Sequence, residues 1–190
     1  MDHVDRALEQ AGFPVGPFRL VDEVGLHVAA QTAEVLERAF GARLSRPAAL
    51  VALAGAGRAG RPGGRGGYRY EDGRRLGVNP AVYDALGVAA KPTRPAHDIA
   101  ARCLAAFADE AARCLEEGVV ASAVDADLAA CLGLGFPAAL GGPFHYVDRC
   151  GAAAVLARVA DSAPLLRRRV EDGAWFFPNP ALPVALEERG

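Results

Sequence analysis

Several things are scarce in this chain of 190 residues, and each scarcity removes a class of function. Charge of one sign is not in excess: the net charge is −2, which offers no electrostatic case for nucleic acid or an anionic membrane surface. No apolar run approaches the roughly 20 residues a membrane-spanning helix needs. The opening Met1-Asp2-His3-Val4-Asp5-Arg6 lacks the basic-then-apolar order of a secretory leader, so cytoplasm is the expected location. The four cysteines, 103, 114, 131 and 150, show no C-x-x-C spacing, and buried reduced thiols are expected rather than disulfides or a metal site. His3, His27, His97 and His145 are scattered, so no metal-ligand cluster is legible. Few segments alternate with period two, which points to a mainly α domain.

What the chain does have is a phrase used twice. Gly12-Phe13-Pro14-Val15-Gly16-Pro17-Phe18, followed by Val21-Asp22 and Gly25, returns as Gly135-Phe136-Pro137, then Gly142-Pro143-Phe144, Val147-Asp148 and Gly151. The second copy carries three extra residues between its Gly-Phe-Pro and its Gly-Pro-Phe. A repeat of this length and spacing implies two halves with the same local fold, not a solenoid. Locally the words are helix punctuation. Gly and Pro end one helix, and Pro opens the next in its first turn. Asp22 and Asp148, each shortly before a glycine, are placed to cap the helix that follows. Phe18 and Phe144 are expected to fill equivalent buried positions.

Reading along the chain, helices are expected over Val4–Gln10, Pro17–Val24 and Leu26–Phe40, the last keeping three- and four-residue apolar spacing up to Gly41. Pro47–Leu53 reads as strand-like. Gly55-Ala56-Gly57-Arg58-Ala59-Gly60 then matches G-x-G-x-x-G, but a dinucleotide fingerprint needs a helix to start there within a βαβ unit. Pro62, Gly63, Gly64, Gly66 and Gly67 would destroy that helix, so the match is rejected as a cofactor site. Residues 55–73 read instead as a basic loop with Arg58, Arg61, Arg65 and Arg69, ending in a small ribbon around Tyr68-Arg69-Tyr70. Asn79 is expected to cap a short helix opened by Pro80. A long helix is expected from Asp98 to about Glu117, with Ile99, Cys103, Phe107, Ala111 and Cys114 as its apolar stripe. Further helices follow over Val124–Leu132, Pro143–Val159 and Leu165–Glu171, then an extended Trp175-Phe176-Phe177. The organisation is a first, incomplete helical repeat over 1–90, a linker over 91–97, and a second repeat with a tail over 98–190.

The two Gly-Phe-Pro/Gly-Pro-Phe phrases, together with Glu110-Ala111, Cys114-Leu115-Glu116-Glu117-Gly118 and Phe176-Phe177-Pro178, resemble the helical C-terminal region of the 3-hydroxyacyl-CoA dehydrogenase family. The resemblance is strongest to the multifunctional α subunits of fatty-acid β-oxidation, which carry this domain twice. It implies a duplicated helical domain without a Rossmann fold, serving as the substrate-side and dimer-like part of an NAD-dependent oxidoreductase. It also places Phe13, Pro14, Val15, Gly16 and Pro17 beside acyl-CoA. The family's nucleotide domain and its catalytic His–Glu pair have no counterpart here. The family's active-site Asn position reads Asp109 in the second repeat, and its usual G-R-K-S-G-K-G-F-Y loop reads Gly60 to Tyr68. No residue is therefore assigned as catalytic, cofactor-binding or metal-binding, and NAD is expected only in the full family enzyme. The expected partners are a second copy or the remainder of its own multifunctional enzyme. The alternative is a stand-alone helical interaction protein derived from that region.

Overall fold

The computed structural model describes residues 1–57, 59–91, 94–160 and 162–177. Two compact units emerge, the first formed by Met1–Ala7 with Val15–Pro95 and the second by Leu8–Pro14 with Ala96–Gly190. Residues 8–14, first-repeat residues by their order in the sequence, thus count with the second unit. Pro92 and Thr93 of the expected linker, like Pro178, lie outside the described residues.

The first unit holds α1 (Asp2–Gln10, shared at its C-terminal end with the second unit), α2 (Pro17–Val24), α3 (Leu26–Phe40) and α4 (Ala48–Gly55). A hairpin of β1 (Tyr68–Glu71) and β2 (Arg74–Val78) follows, then α5 (Ala81–Leu86). Asp72 and Gly73, both at positive φ, make the two-residue connection of the hairpin, as an Asp-Gly pair favours. Leu26, Leu53 and Val82 form the small buried core.

Pro47–Leu53 is not strand-like: it belongs with α4, a helix built almost wholly of Ala, Leu and Val. Ala and Leu are among the strongest helix formers, and an all-apolar run carries no periodicity from which to tell the two states apart. Asn79 does not cap α5 either. Its side-chain amide donates to the Gly66 carbonyl at 3.3 Å, and its own N–H donates to Gly67 at 2.9 Å, so it ties the hairpin's neck instead.

In the second unit α6 (Ala96–Glu116) is followed by α7 (Ala123–Gly133), α8 (Pro143–Cys150), α9 (Ala152–Leu156) and α10 (Pro164–Asp172). Ser122 caps α7, accepting the Asp125 N–H at 3.1 Å. The core gathers Ala105, Ala108 and Ala112 of α6 against Phe144, Val147, Val155 and Leu166. The buried stripe of α6 is therefore Ala100, Leu104, Ala108 and Ala112, one residue round the helix from the expected stripe. Of that expected set, Ile99, Phe107, Ala111 and Cys114 are half-buried and Cys103 is exposed. Small alanines let α8 approach closely, and a reading that weights large apolar side chains passes over them. The thiols follow suit: Cys103 and Cys150 are exposed and Cys114 and Cys131 half-buried, rather than enclosed.

The repeated phrase has one local structure. Gly25 (φ 100°, ψ 131°) joins α2 to α3, and Gly151 (φ 85°, ψ 134°) joins α8 to α9. Their N–H groups close the preceding helices on Val21 at 2.9 Å and Val147 at 2.8 Å. That positive φ suits glycine and few other residues, which accounts for its presence in both copies. The three additional residues of the second copy sit in a 3₁₀ turn, Ala138–Leu140. The paired phenylalanines differ, however. Phe144 is fully enclosed, whereas Phe18 is only half-buried. In the second unit α6 lies over Phe144, and no counterpart of α6 covers α2 among the described residues of the first unit.

Candidate functional site

Two aspartates organise the turn region of each unit. In the first, Asp5 accepts the N–H groups of Phe18 (2.8 Å) and Arg19 (3.1 Å), satisfying the start of α2 where Pro17 cannot donate. Asp22, one helix on, does not cap α3; it accepts from Gly67 and Tyr68, both at 2.8 Å. The phenols close the knot, Tyr68 donating to Asp5 at 2.6 Å and Tyr70 to Asp22 at 3.0 Å. Burial, reinforced by the neighbouring carboxylates, pushes both phenols well above the ordinary tyrosine range. The glycines of the basic loop have a purpose here, since a Cβ on Gly66 would run into the Asp22 carboxylate.

The second unit repeats the scheme. Asp127 accepts from Phe144 (2.7 Å) and His145 (3.2 Å) at the start of α8. Asp148 likewise leaves α9 uncapped and accepts from Phe176 (3.0 Å) and Phe177 (3.0 Å). Phe176 packs on Phe144 with ring centres 4.5 Å apart. Asp109 is also committed to the fold: it accepts the Ala163 N–H at 2.6 Å and the Arg113 Nε–H at 3.2 Å.

One pairing is not visible as a sequence motif. His145 Nδ1 lies 2.6 Å from Asp127 Oδ2, and its ring stacks on Phe177 at 3.9 Å. With a carboxylate as partner, Nδ1 is the donor. Because the same carboxylate also receives two backbone N–H groups, the imidazole completes a helix cap. The pair spans 18 positions, so only the match of the Gly-Pro-Phe phrases could have pointed to it.

The five residues expected beside acyl-CoA form one continuous turn. Phe13 is half-buried and meets Phe136 edge-on at 6.0 Å. Pro14 and Pro17 are exposed, Val15 is half-buried, and Gly16 is buried against Asp5. Phe13 and Pro14 count with the second unit and Val15, Gly16 and Pro17 with the first. Inside the second unit the two Gly-Phe-Pro turns meet reciprocally: a Cβ on Gly12 would lie 3.0 Å from Pro137, and one on Gly135 would lie 3.2 Å from Pro14.

The glycine run does not fit a dinucleotide. Gly55 is the last residue of helix α4, not the exit from a strand, and Arg61-Pro62-Gly63 forms a 3₁₀ turn. Arg61 is engaged by Glu23 at 2.6 Å, while Arg58 lies outside the described residues. Among the described residues no group of three or more His, Cys, Asp or Glu could hold a metal ion, and no helix is long and apolar enough to cross a membrane.

Twice-built helical units, each with an aspartate at the Gly-Pro helix start and a second aspartate tethering a distant loop, define a duplicated α-domain. The chain belongs to the 3-hydroxyacyl-CoA dehydrogenase C-terminal domain family, whose sequence profile matches residues 1–70 and 99–174. Among curated relatives it is 45% identical over 189 residues to the fatty acid oxidation complex subunit alpha of Shewanella amazonensis, covering 93% of this chain and 27% of that protein. The Shewanella putrefaciens subunit of the same name is 44% identical over 155 residues, covering 80% of this chain and 22% of that one. The chain thus spans about a quarter of the length of these relatives. In fold it is similar to 3-hydroxybutyryl-CoA dehydrogenase from Escherichia coli, with a TM-score of 0.68 at 20% identity over 90% of this chain and 55% of that one. The dehydrogenase part of a multifunctional enzyme from C. elegans gives 0.55 at 21% identity, over 88% and 41%.

Proposed function

We propose that this chain is the substrate-side helical part of an NAD-dependent 3-hydroxyacyl-CoA dehydrogenase of fatty-acid β-oxidation, and that it does not catalyse the reaction alone. The observation that carries this reading is the family match over both repeats in a chain a quarter as long as its relatives. Hydride transfer needs a nicotinamide site and a base within reach of the substrate hydroxyl. The glycine run is built otherwise, and Asp109, Asp127 and Asp148 are occupied as backbone acceptors. NAD and the catalytic pair would come from the remainder of the enzyme. The turn Phe13 to Pro17 would then lie beside the acyl-CoA, its exposed Pro14 and Pro17 offering a rigid apolar edge. The enzyme would work in the cytoplasm, with no nucleic-acid partner, as a homo-oligomer or joined to the rest of its own multifunctional chain.

The half-buried Phe18 supports an incomplete first unit, since its counterpart is fully covered in the second. The same open surface favours the second reading, a helical interaction protein derived from this region. Titration calorimetry with NADH and an assay with 3-hydroxybutyryl-CoA test the main proposal. Neither binding nor turnover is expected. Micromolar NADH binding or measurable oxidation by the isolated chain would overturn it.

A further inference from the structure

The fold accounts for the glycines of the basic loop but not for two of its arginines. Arg65 bridges Arg69 in antiparallel register, and Arg69 in turn faces Gly77 across the hairpin. Two cationic residues thus stand directly opposite one another, which like charge makes unfavourable. Both are exposed, and neither is in an ion pair among the described residues. Their neighbours differ: Arg61 is held by Glu23 at 2.6 Å, and the Arg75 guanidinium lies 4.8 Å from the centre of the Tyr68 ring. The carboxylates nearest along the strand, Glu71 and Asp72, stand at the turn, with Glu71 opposite Arg74.

The backbone beneath this pair is fixed. The Arg65 carbonyl accepts the Gly60 N–H at 3.1 Å, the Gly64 carbonyl accepts the Tyr70 N–H at 2.9 Å, and Asp22 holds Gly67 and Tyr68. Beside the pair there is room. Gly77, facing Arg69, has no side chain, and nothing lies within 4 Å of where its Cβ would stand. Leu76, next to that glycine, is the unpaired residue of a β-bulge and is 56% exposed. Bulges recur next to active sites because they re-aim a side chain.

We propose that Arg65 and Arg69 form a seat for the terminal phosphate of a nucleotide-type ligand, with Leu76 as the apolar surface for its base. A phosphate dianion between two guanidinium groups replaces their repulsion with charge-assisted contacts, and the planar fork of each can bind it bidentately. The open space over Gly77 gives the anion access next to Arg69. Because the register sets the two arginines side by side before any ligand arrives, little ordering of the backbone remains to be done on binding. The seat goes beyond the dehydrogenase reading, since it needs neither a nicotinamide site nor turnover.

Titration calorimetry of the whole chain at low ionic strength, where exposed charges are least screened, tests it with coenzyme A, dephospho-coenzyme A and ADP. Coenzyme A is expected to bind, and dephospho-coenzyme A, which lacks the terminal phosphate, to bind about tenfold or more weakly. Arg65→Gln/Arg69→Gln should weaken coenzyme A binding by about tenfold or more, whereas Arg102→Gln, an exposed arginine of α6, should not. Without ligand, the double variant should melt no lower than wild type, because a like-charged pair has been removed. Binding of coenzyme A but not ADP supports a seat for the 3′-phosphate; binding of both supports a seat for nucleotides generally. Dephospho-coenzyme A binding as tightly as coenzyme A overturns the proposal, as does a double variant that binds like wild type. So does binding of anionic lipid vesicles with no binding of coenzyme A or ADP. A double variant that melts below wild type without ligand would show that the arginines serve the fold and would also overturn it.

Discussion

Asp127 stands in the second unit where Asp5 stands in the first, each carboxylate receiving the two N–H groups behind a Gly-Pro pair. The helix dipole and the missing proline donor make that site one that a carboxylate fills well. Asp127→Ala would leave the Phe144 and His145 N–H groups without their acceptor and release the His145 ring. A loss of about 2–3 kcal/mol is expected in urea denaturation. Asp5→Ala should cost at least as much, since it also strands the Tyr68 hydroxyl. A loss below about 0.5 kcal/mol in either variant would show that water replaces the carboxylate.

The helices flanking these aspartates were legible because their boundaries are written locally. Pro17, Gly25 and Gly41 mark α2 and α3, whose observed ends coincide with the expected ones. The tethers were not legible. Asp22 finds Gly67 across 45 positions and Asp148 finds Phe176 across 28, and a carboxylate before a glycine looks the same whether it caps the next helix or reaches for a remote loop. The face of α6 was misplaced for a different reason. Cys103, Phe107 and Cys114 look like the apolar stripe, but alanines occupy the close contact, while Phe107 and Cys114 stay half-buried and Cys103 is exposed. Of the turn from Phe13 to Pro17, the helix start at Pro17 was legible in the sequence, while the expectation of acyl-CoA beside it rests on the family resemblance alone.

Substitutions at three of the glycines should divide sharply. Gly66→Ala and Gly142→Ala place a Cβ against Asp22 and Asp127 respectively, and Gly142 also holds φ 115°. Each is expected to cost more than about 2 kcal/mol, as overpacking and φ strain add. Gly133→Ala meets nothing within 4 Å at the end of α7 and has ordinary φ, so a gain of up to about 1 kcal/mol is expected. Thermal melts of the three variants would show it. Equal effects would mean that the glycines are interchangeable spacers.

The paired phenylalanines should no longer behave as equals. Phe144→Ala empties an enclosed site between α6 and Phe176 and is expected to cost about 3–5 kcal/mol. Phe18→Ala removes a half-buried ring and should cost about 1–2 kcal/mol in the isolated chain. If the rest of the enzyme covers α2, adding that part should raise the Phe18 penalty towards that of Phe144. A Phe18 penalty that already matches Phe144 in the isolated chain would contradict the open face.

Alkaline pH offers a separate probe of the first unit's knot. Tyr68 and Tyr70 are held protonated in the fold, first by burial and then by Asp5 and Asp22, so their native pKa values lie above the unfolded value of about 10. An acid whose pKa is raised on folding stabilises the native state fully below the unfolded pKa. Above it, the unfolded chain sheds the proton first, and stability declines until the native pKa is passed. Unfolding free energy should therefore be insensitive to these phenols below about pH 9 and fall above about pH 10, each contributing a slope of at most about 1.4 kcal/mol per pH unit. Tyr68→Phe removes the Asp5 hydrogen bond and lowers stability at neutral pH, yet it should flatten the alkaline limb relative to wild type. Urea denaturation at stepped pH values, with phenolate absorbance recorded in parallel, measures both. An alkaline limb as steep in Tyr68→Phe/Tyr70→Phe as in wild type would assign it to other groups and remove the phenols from the knot's energetics.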